Sequence, residues 1–192
     1  MNLRLLGRGA MLGAPFLFID FLVNGMGDAQ DKSALSGLYG LLYISGWICS
    51  ILGLWETEAA GSNPWGRMVL LLQLLFLSLA NVSNVLVLLQ IGMDSQFFSI
   101  LDLFWTISHI WMLVIGILVL TAMRLRGWMR VVPLFTGLWL PLALFLFSII
   151  MGGTEESMLF SGAYSTVACM LMAYVVFRLG TKAQLSNTFA LS

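Results

Sequence analysis

The chain has 192 residues, of which 60% are hydrophobic and 9% are charged, and its formal net charge at neutral pH is +0. A water-soluble domain carries about 25% charged residues on average, so this composition excludes one, because so few charged side chains cannot cover a core. The absence of a long basic block argues against a nucleic-acid partner. These properties indicate an integral membrane protein whose main partner is the lipid bilayer.

The apolar residues form runs long enough to cross about 30 Å of hydrocarbon as helices. Turn residues such as Asn24-Gly25, Gly61-Ser62-Asn63-Pro64 and Gly152-Gly153 separate these runs. The connections are short, which predicts that sequential helices are antiparallel neighbours. The predicted spans cover residues about 10–26, 34–54, 68–91, 98–122, 128–151 and 158–179. The sequence therefore predicts an all-α, single-domain bundle of about six transmembrane helices.

The first span has two interpretations. Arg4 and Arg8, followed by a short apolar run and a polar segment, also describe a secretory signal peptide. Pro15 and Asp20 within the run favour a retained helix, because a cleaved signal gains nothing from a buried carboxylate. Cleavage would leave five spans and an N-terminus outside the cell.

Two later spans carry packing and bending signals. The small residues Gly37, Gly40 and Gly46 on the second span predict close contact with a neighbouring helix. Pro133 and Pro141 predict a kink in the fifth span.

The lysines and arginines predict the orientation, because positively charged loops remain in the cytoplasm. All of the nine except Lys32 fall on one side of the six-span arrangement. The opposite loops carry Asp28, Asp31, Asp94, Glu155 and Glu156. We therefore predict a multi-pass protein of the plasma (inner) membrane with both termini in the cytoplasm.

Polar side chains within the spans mark a candidate site, because ionisable groups there are costly and usually face a bundle interior or a wet cavity. Asp20 and Asn24 share one helix face, as do Asp102 and His109. Counting about 1.5 Å per residue places His109, Asn81 and Tyr43 roughly 14–16 Å below the outer surface. The same count places Asp20, Asn84, Asp102, Tyr39 and Tyr164 about 6–10 Å deep.

We interpret this layer as a pocket in the outer half of the bundle, with Asp102 and His109 as its ionisable centre. Its predicted residues are Asp20, Asn24, Tyr39, Tyr43, Asn81, Asn84, Asp102, His109 and Tyr164. Its predicted ligand is a small neutral or cationic molecule, which the protein binds or transports. The alternative interpretation is that the same side chains only hold helices together through hydrogen bonds.

The sequence gives little support for a bound cofactor, a metal site or catalysis. No lysine lies within a span to hold retinal, a single histidine cannot ligate haem from both sides, and no spacing predicts a metal site or another cofactor. No nucleophile motif occurs, so no catalytic residue is assigned. An acid/base enzyme using His109 and Asp102 stays open, because imidazole titrates near neutral pH. A further alternative is a non-catalytic accessory subunit that packs against partner membrane subunits or forms a homo-oligomer.

Overall fold

The structure, a computed structural model, describes residues 1–25, 33–152 and 154–190, with their side chains except at 146–148 and 182–190. Its regular secondary structure in these ranges is all helical, and no strand occurs in them. The helices are α1 (Leu3–Gly13), α2 (Phe16–Asn24), α3 (Ala34–Glu56), α4 (Pro64–Leu89), α5 (Gln96–Ala122), α6 (Val132–Gly137), α7 (Trp139–Leu142) and α8 (Glu155–Ala190). A 3₁₀ turn (Gly127–Arg130) precedes α6, and a π-helical segment (Ala143–Ile150) follows α7.

Within the described ranges, five helical stretches are long and apolar enough to span a membrane, and there are six if a bent pair of helices counts as one span. The first of them joins α1 and α2 into one stretch, Leu3–Asn24, and the last is Glu155–Thr181. These lengths and compositions indicate a multi-pass membrane protein, so the predicted all-helical class is confirmed. The residues Asp28, Asp31 and Lys32, used in the prediction of orientation, lie outside the described part of the chain.

The first helix extends beyond the first predicted span. That span starts at about residue 10, whereas α1 begins at Leu3. The Asn2 side chain explains the difference, because its Oδ1 accepts hydrogen bonds from the backbone N–H groups of Arg4 and Leu5 at 3.1 and 3.3 Å. This cap satisfies donors that the first turn of a helix leaves free.

The bend predicted from the prolines is confirmed in the segment that the sequence predicts as the fifth span. The segments Gly127–Gly137 and Trp139–Phe145 meet at an angle of 50°. Pro141 accounts for its position, because proline has no N–H to donate to the carbonyl of Gly137 and its ring crowds that carbonyl. The bend turns Trp139 into the core, where this side chain is only 5% exposed.

Glycines set the spacing of the helices, as predicted for the second span. A Cβ atom on Gly37 would collide with the backbone of Leu88, so α3 and α4 meet backbone to backbone. Gly13 of α1 packs in the same way on Gly46 of α3, and Gly7 packs on Phe177 of α8. Helix α1 therefore lies between α3 and α8, and the apolar core beside it is formed by side chains that are 0–2% exposed, including Ile51, Leu54, Leu77, Met112, Ile115 and Met172.

Candidate functional site

A cavity of about 320 Å³ lies at the end of the bundle where α2 and α4 finish and α3 and α5 begin. All four of these helices contribute to its wall. Its polar lining residues are Asp20, Asn24, Ser36, Tyr43, Ser83, Asn84 and Asp102. Its larger apolar lining residues are Leu17, Phe21, Ile44, Val87 and Trp105. Asn24 is exposed, so the cavity reaches the surface of the protein at this end.

The Asp20 carboxylate connects α2 to α3. Asn24 donates from Nδ2 to Asp20 Oδ1 at 2.7 Å, and Ser36 donates from Oγ to Asp20 Oδ2 at 2.9 Å. Ser33 extends the network by donating to Asn24 Oδ1 at 3.0 Å. The predicted shared face of Asp20 and Asn24 is therefore confirmed, and the carboxylate is held at the edge of the cavity by charge-assisted hydrogen bonds.

The α3–α4 wall depends on a glycine. Gly40 leaves room for the Asn84 side chain, which occupies the space that a Cβ atom on residue 40 would need. Asn84 Nδ2 donates to Asn81 Oδ1 at 3.4 Å, and Asn81 Nδ2 donates to Ser45 Oγ at 3.2 Å. These amides link the two helices, and Asn84 is the member of the pair that faces the cavity.

Tyr43 forms the deep part of the wall and is 2% exposed. Its hydroxyl lies 2.9 Å from Ser165 Oγ of α8, and Cys169 Sγ lies 3.8 Å from the same hydroxyl. The phenol is therefore anchored to α8, and its ring is fixed where it lines the cavity.

His109 is enclosed by indole rings and is not part of the cavity lining. Its ring centroid lies 4.7 Å from that of Trp47, 4.7 Å from that of Trp105 and 4.4 Å from that of Trp139. His109 Nδ1 donates to the backbone carbonyl of Trp105 at 2.9 Å, since a carbonyl can only accept. Trp105 thus separates His109 from the cavity, because its side chain belongs to both the cavity wall and the indole cluster.

Two predicted tyrosines also lie away from the cavity. Tyr39 stacks on Phe16 of α2 with a centroid separation of 5.8 Å. Tyr164 donates its hydroxyl to the carbonyl of Phe135 at 2.6 Å, which connects α8 to α6. Both side chains have packing roles in this structure.

The structure therefore groups five of the nine predicted residues in one cavity: Asp20, Asn24, Tyr43, Asn84 and Asp102. Asn81, His109, Tyr39 and Tyr164 lie outside it. Comparison of the chain with protein-family models, curated proteins and solved structures finds no match. The arrangement of the site is consequently the basis of any functional argument.

Several lining residues were missed by sequence reasoning. Trp105 lies three residues after Asp102, a spacing that places both on one helix face. Its position in the cavity wall could therefore have been predicted from the sequence. Ser36 and Phe21 had no such signal, because a serine near a helix start and a phenylalanine in an apolar span are usually structural. No group of three His, Cys, Asp or Glu side chains in the described ranges is arranged to hold a metal ion.

Proposed function

We propose that this protein binds a small neutral or cationic molecule in the cavity between α2, α3, α4 and α5, as a receptor or a gated carrier. The observation that supports the proposal is the composition of the cavity wall. Two carboxylates, Asp20 and Asp102, line it, and no lysine or arginine is among the lining residues of the described chain. Two carboxylates in the wall of a pocket whose other lining residues carry no charge favour a cationic ligand.

The remaining wall suits an organic cation. Phe21, Tyr43 and Trp105 provide aromatic rings, whose faces attract ammonium groups. Asn84 and Ser83 provide hydrogen-bonding groups for a neutral part of the ligand. The volume of about 320 Å³ is at the lower end of the range for small-molecule sites, roughly 300–1,000 Å³. A compact amine or quaternary ammonium compound therefore fits the site better than an extended ligand.

The cavity also supports binding over the two alternatives. An accessory subunit needs no cavity between polar residues, whereas here five polar residues predicted from the sequence share one. An acid/base enzyme would need His109 and Asp102 to reach the same substrate, but the imidazole lies behind Trp105 and hydrogen-bonds its carbonyl. Neither alternative has an observation of this kind in its favour.

The core beyond the cavity bears on transport. Toward the other end of the bundle the interior is filled by side chains such as Leu54, Leu77 and Ile115, each fully buried. An open aqueous pore would need a continuous polar lining. The arrangement supports binding from one side, with any passage requiring the helices to rearrange.

The proposal includes a membrane orientation. We infer six spans, counting α6 and α7 with the π-helical segment as one bent span, in a plasma (inner) membrane. The arginine-rich end would lie in the cytoplasm with both termini, and the cavity would open to the outer side. The charge distribution of the sequence supports this orientation, and retention of the first span is part of it.

The experiment is a binding titration with a charged probe and its uncharged isostere. Choline and 3,3-dimethylbutan-1-ol have nearly the same shape, and only choline carries a positive charge. We expect choline to bind the purified protein and Asp102→Asn to weaken its binding about tenfold or more, because a desolvated ion contact is lost. Binding of the alcohol should be weaker in the wild type and unchanged by this substitution. Isothermal titration calorimetry in detergent measures both.

Asp94→Asn is the matched control. It removes one negative charge from the same end of the molecule, but Asp94 is exposed and does not line the cavity. Equal losses in Asp102→Asn and Asp94→Asn would indicate a diffuse surface effect and contradict the proposal. The proposal also fails if neither choline, tetramethylammonium nor the uncharged isostere binds.

A further inference from the structure

The end of the bundle opposite the cavity carries all seven arginines of the chain. Its described carboxylates are Glu56 and Glu58, and both are engaged. Glu56 lies 3.7 Å from the N-terminal amine. Glu58 pairs with Arg67, and its other oxygen lies 3.9 Å from Arg124. The positive charge at this end therefore greatly exceeds the negative charge available to neutralise it.

Four of the arginines have partners within the protein. Arg67 and Arg124 share Glu58, and Arg124 also donates to Ser62 Oγ at 2.6 Å. Arg4 donates from Nε to Thr181 Oγ1 at 3.3 Å. The guanidinium of Arg8 lies 6.0 Å from the centroid of the Phe177 ring. These contacts give each of the four arginines a structural role within the protein.

The other three arginines, Arg126, Arg130 and Arg178, have neither an ion pair nor a side-chain hydrogen bond to any residue that the structure describes. Along the chain they lie close to one feature, the stack of Trp128 on Tyr174, whose ring centroids are 6.3 Å apart with planes 10° from parallel. Arg126 and Arg130 flank Trp128 in the chain. Arg178 lies one turn beyond Tyr174 on the same face of α8, about 6 Å away along the helix.

The stacked rings face the surroundings of the bundle. Trp128 is 45% exposed and Tyr174 is 43% exposed. Tyr174 continues the exposed stripe of α8 that contains Val167, which is 53% exposed. In a membrane protein such a stripe contacts lipid, and indole and phenol rings are enriched where lipid chains meet headgroups. Arginines next to such rings would lie at the depth of the lipid phosphates.

We propose that Arg126, Arg130 and Arg178, together with the Trp128–Tyr174 stack, bind the headgroup of an anionic phospholipid. Guanidinium groups recognise phosphate oxygens with paired hydrogen bonds. Basic residues beside helix ends attract anionic lipids in proportion to their number. The stacked rings pack against the adjoining glycerol and upper acyl chain. This surface is at the other end of the molecule from the cavity, so it is independent of the proposed function.

The test compares lipid retention by native mass spectrometry. The full-length protein is exchanged into micelles containing equal amounts of phosphatidylglycerol and phosphatidylcholine, and the ratio of bound lipids is measured. We expect the wild type to retain phosphatidylglycerol at least fivefold over phosphatidylcholine. The triple variant Arg126→Gln, Arg130→Gln, Arg178→Gln should retain the two lipids almost equally.

The matched control is Arg4→Gln, Arg67→Gln, Arg124→Gln. It removes the same charge from the same end, but only from arginines that already have partners. Its preference for phosphatidylglycerol should stay within twofold of the wild type. An equal loss in both triple variants, or no preference in the wild type, would overturn the proposal. Should a triple variant not purify, Arg178→Gln and Arg67→Gln alone give the same comparison, with the preference lowered at least twofold only in Arg178→Gln.

Discussion

Gly9 and Gly13 occupy successive turns of α1 but have different surroundings. A Cβ atom at residue 13 would lie 2.5 Å from the carbonyl oxygen of Leu42 and 2.7 Å from Cα of Gly46. A Cβ atom at residue 9 would meet only Cys49 Sγ, at 3.4 Å. One glycine is therefore required by backbone contact between helices, and the other is not.

We expect Gly13→Ala to lower the free energy of unfolding by about 1–3 kcal/mol, because the added methyl group overpacks a contact between two backbones. Gly9→Ala should be neutral or stabilise by up to about 1 kcal/mol, since alanine favours helix. Reversible unfolding in mixed SDS and mild-detergent micelles measures both. Equal destabilisation by the two substitutions would contradict the α1–α3 contact described here.

At the residue scale, the sequence predicted which residues lie on the same helix face but not whether they have the same neighbours. Asp20 and Asn24, one turn apart, hydrogen-bond to each other as their spacing predicts. Asp102 and His109 also share a face, but seven residues separate them by about 10 Å along the helix axis. That difference in depth leaves room for Trp105 between them, so one carboxylate lines the cavity and the imidazole does not. Helical periodicity predicts the face on which a side chain lies, whereas the residues of neighbouring helices determine its contacts.

Helix lengths were largely predictable because hydropathy and local signals determine them. The span predicted at 98–122 corresponds to α5, Gln96–Ala122, and the span predicted at 34–54 corresponds to α3, Ala34–Glu56. The bend in the predicted fifth span was expected from Pro133 and Pro141, and the structure places it next to Pro141. The first predicted span starts later than α1 because Arg4 and Arg8 interrupt the apolar run, and hydropathy carries no signal for the Asn2 cap.

Asn63 caps α4 and provides a test of how this helix begins. Its Oδ1 accepts a hydrogen bond from the backbone N–H of Gly66 at 2.7 Å, directly before Pro64 starts the helix. We expect Asn63→Ala to lower the free energy of unfolding by about 0.5–2 kcal/mol, because the first turn loses an acceptor. The same unfolding titration measures this loss.

Asn63→Ser is the control for this prediction. A serine hydroxyl can accept the same hydrogen bond, so at least half of the stability lost in Asn63→Ala should be recovered. If serine and alanine are equally destabilising, the side chain of Asn63 acts by something other than capping.

At the scale of the whole molecule, composition and the lengths of the apolar runs predicted the helical class, but the order of the helices around the core was not predictable. Hydropathy shows that a segment is apolar. Helices that face lipid and helices that face the core are both apolar, so hydropathy does not distinguish them. The position of α1 between α3 and α8 depends on matched contacts such as Gly7 with Phe177 and Gly13 with Gly46. Such contacts pair residues far apart in the chain, and one sequence does not reveal them.

The proposed orientation can be tested with single cysteines in a background without Cys49 and Cys169. Met93→Cys lies at the cavity end and Trp65→Cys at the arginine-rich end, where Trp65 is 71% exposed. In spheroplasts of a bacterial host, a membrane-impermeant maleimide should label residue 93 directly. It should label residue 65 only after the membrane is made permeable. The reverse pattern would place the arginine-rich end outside and contradict the orientation.

The proline between α1 and α2 bears on how the proposed ligand would enter. The backbones of α3 and α4 pack directly against each other at Gly37 and Leu88, so separating these two walls would break this close contact. Helix α2 is nine residues long and joins α1 at Ala14 and Pro15, where proline removes one helical hydrogen bond. Rotation of α2 about this hinge would open the cavity by breaking the contact of Asp20 with Ser36. The hydrogen bond between Asp20 and Ser36 would then keep the cavity closed until a cation binds the carboxylate in place of the hydroxyl group.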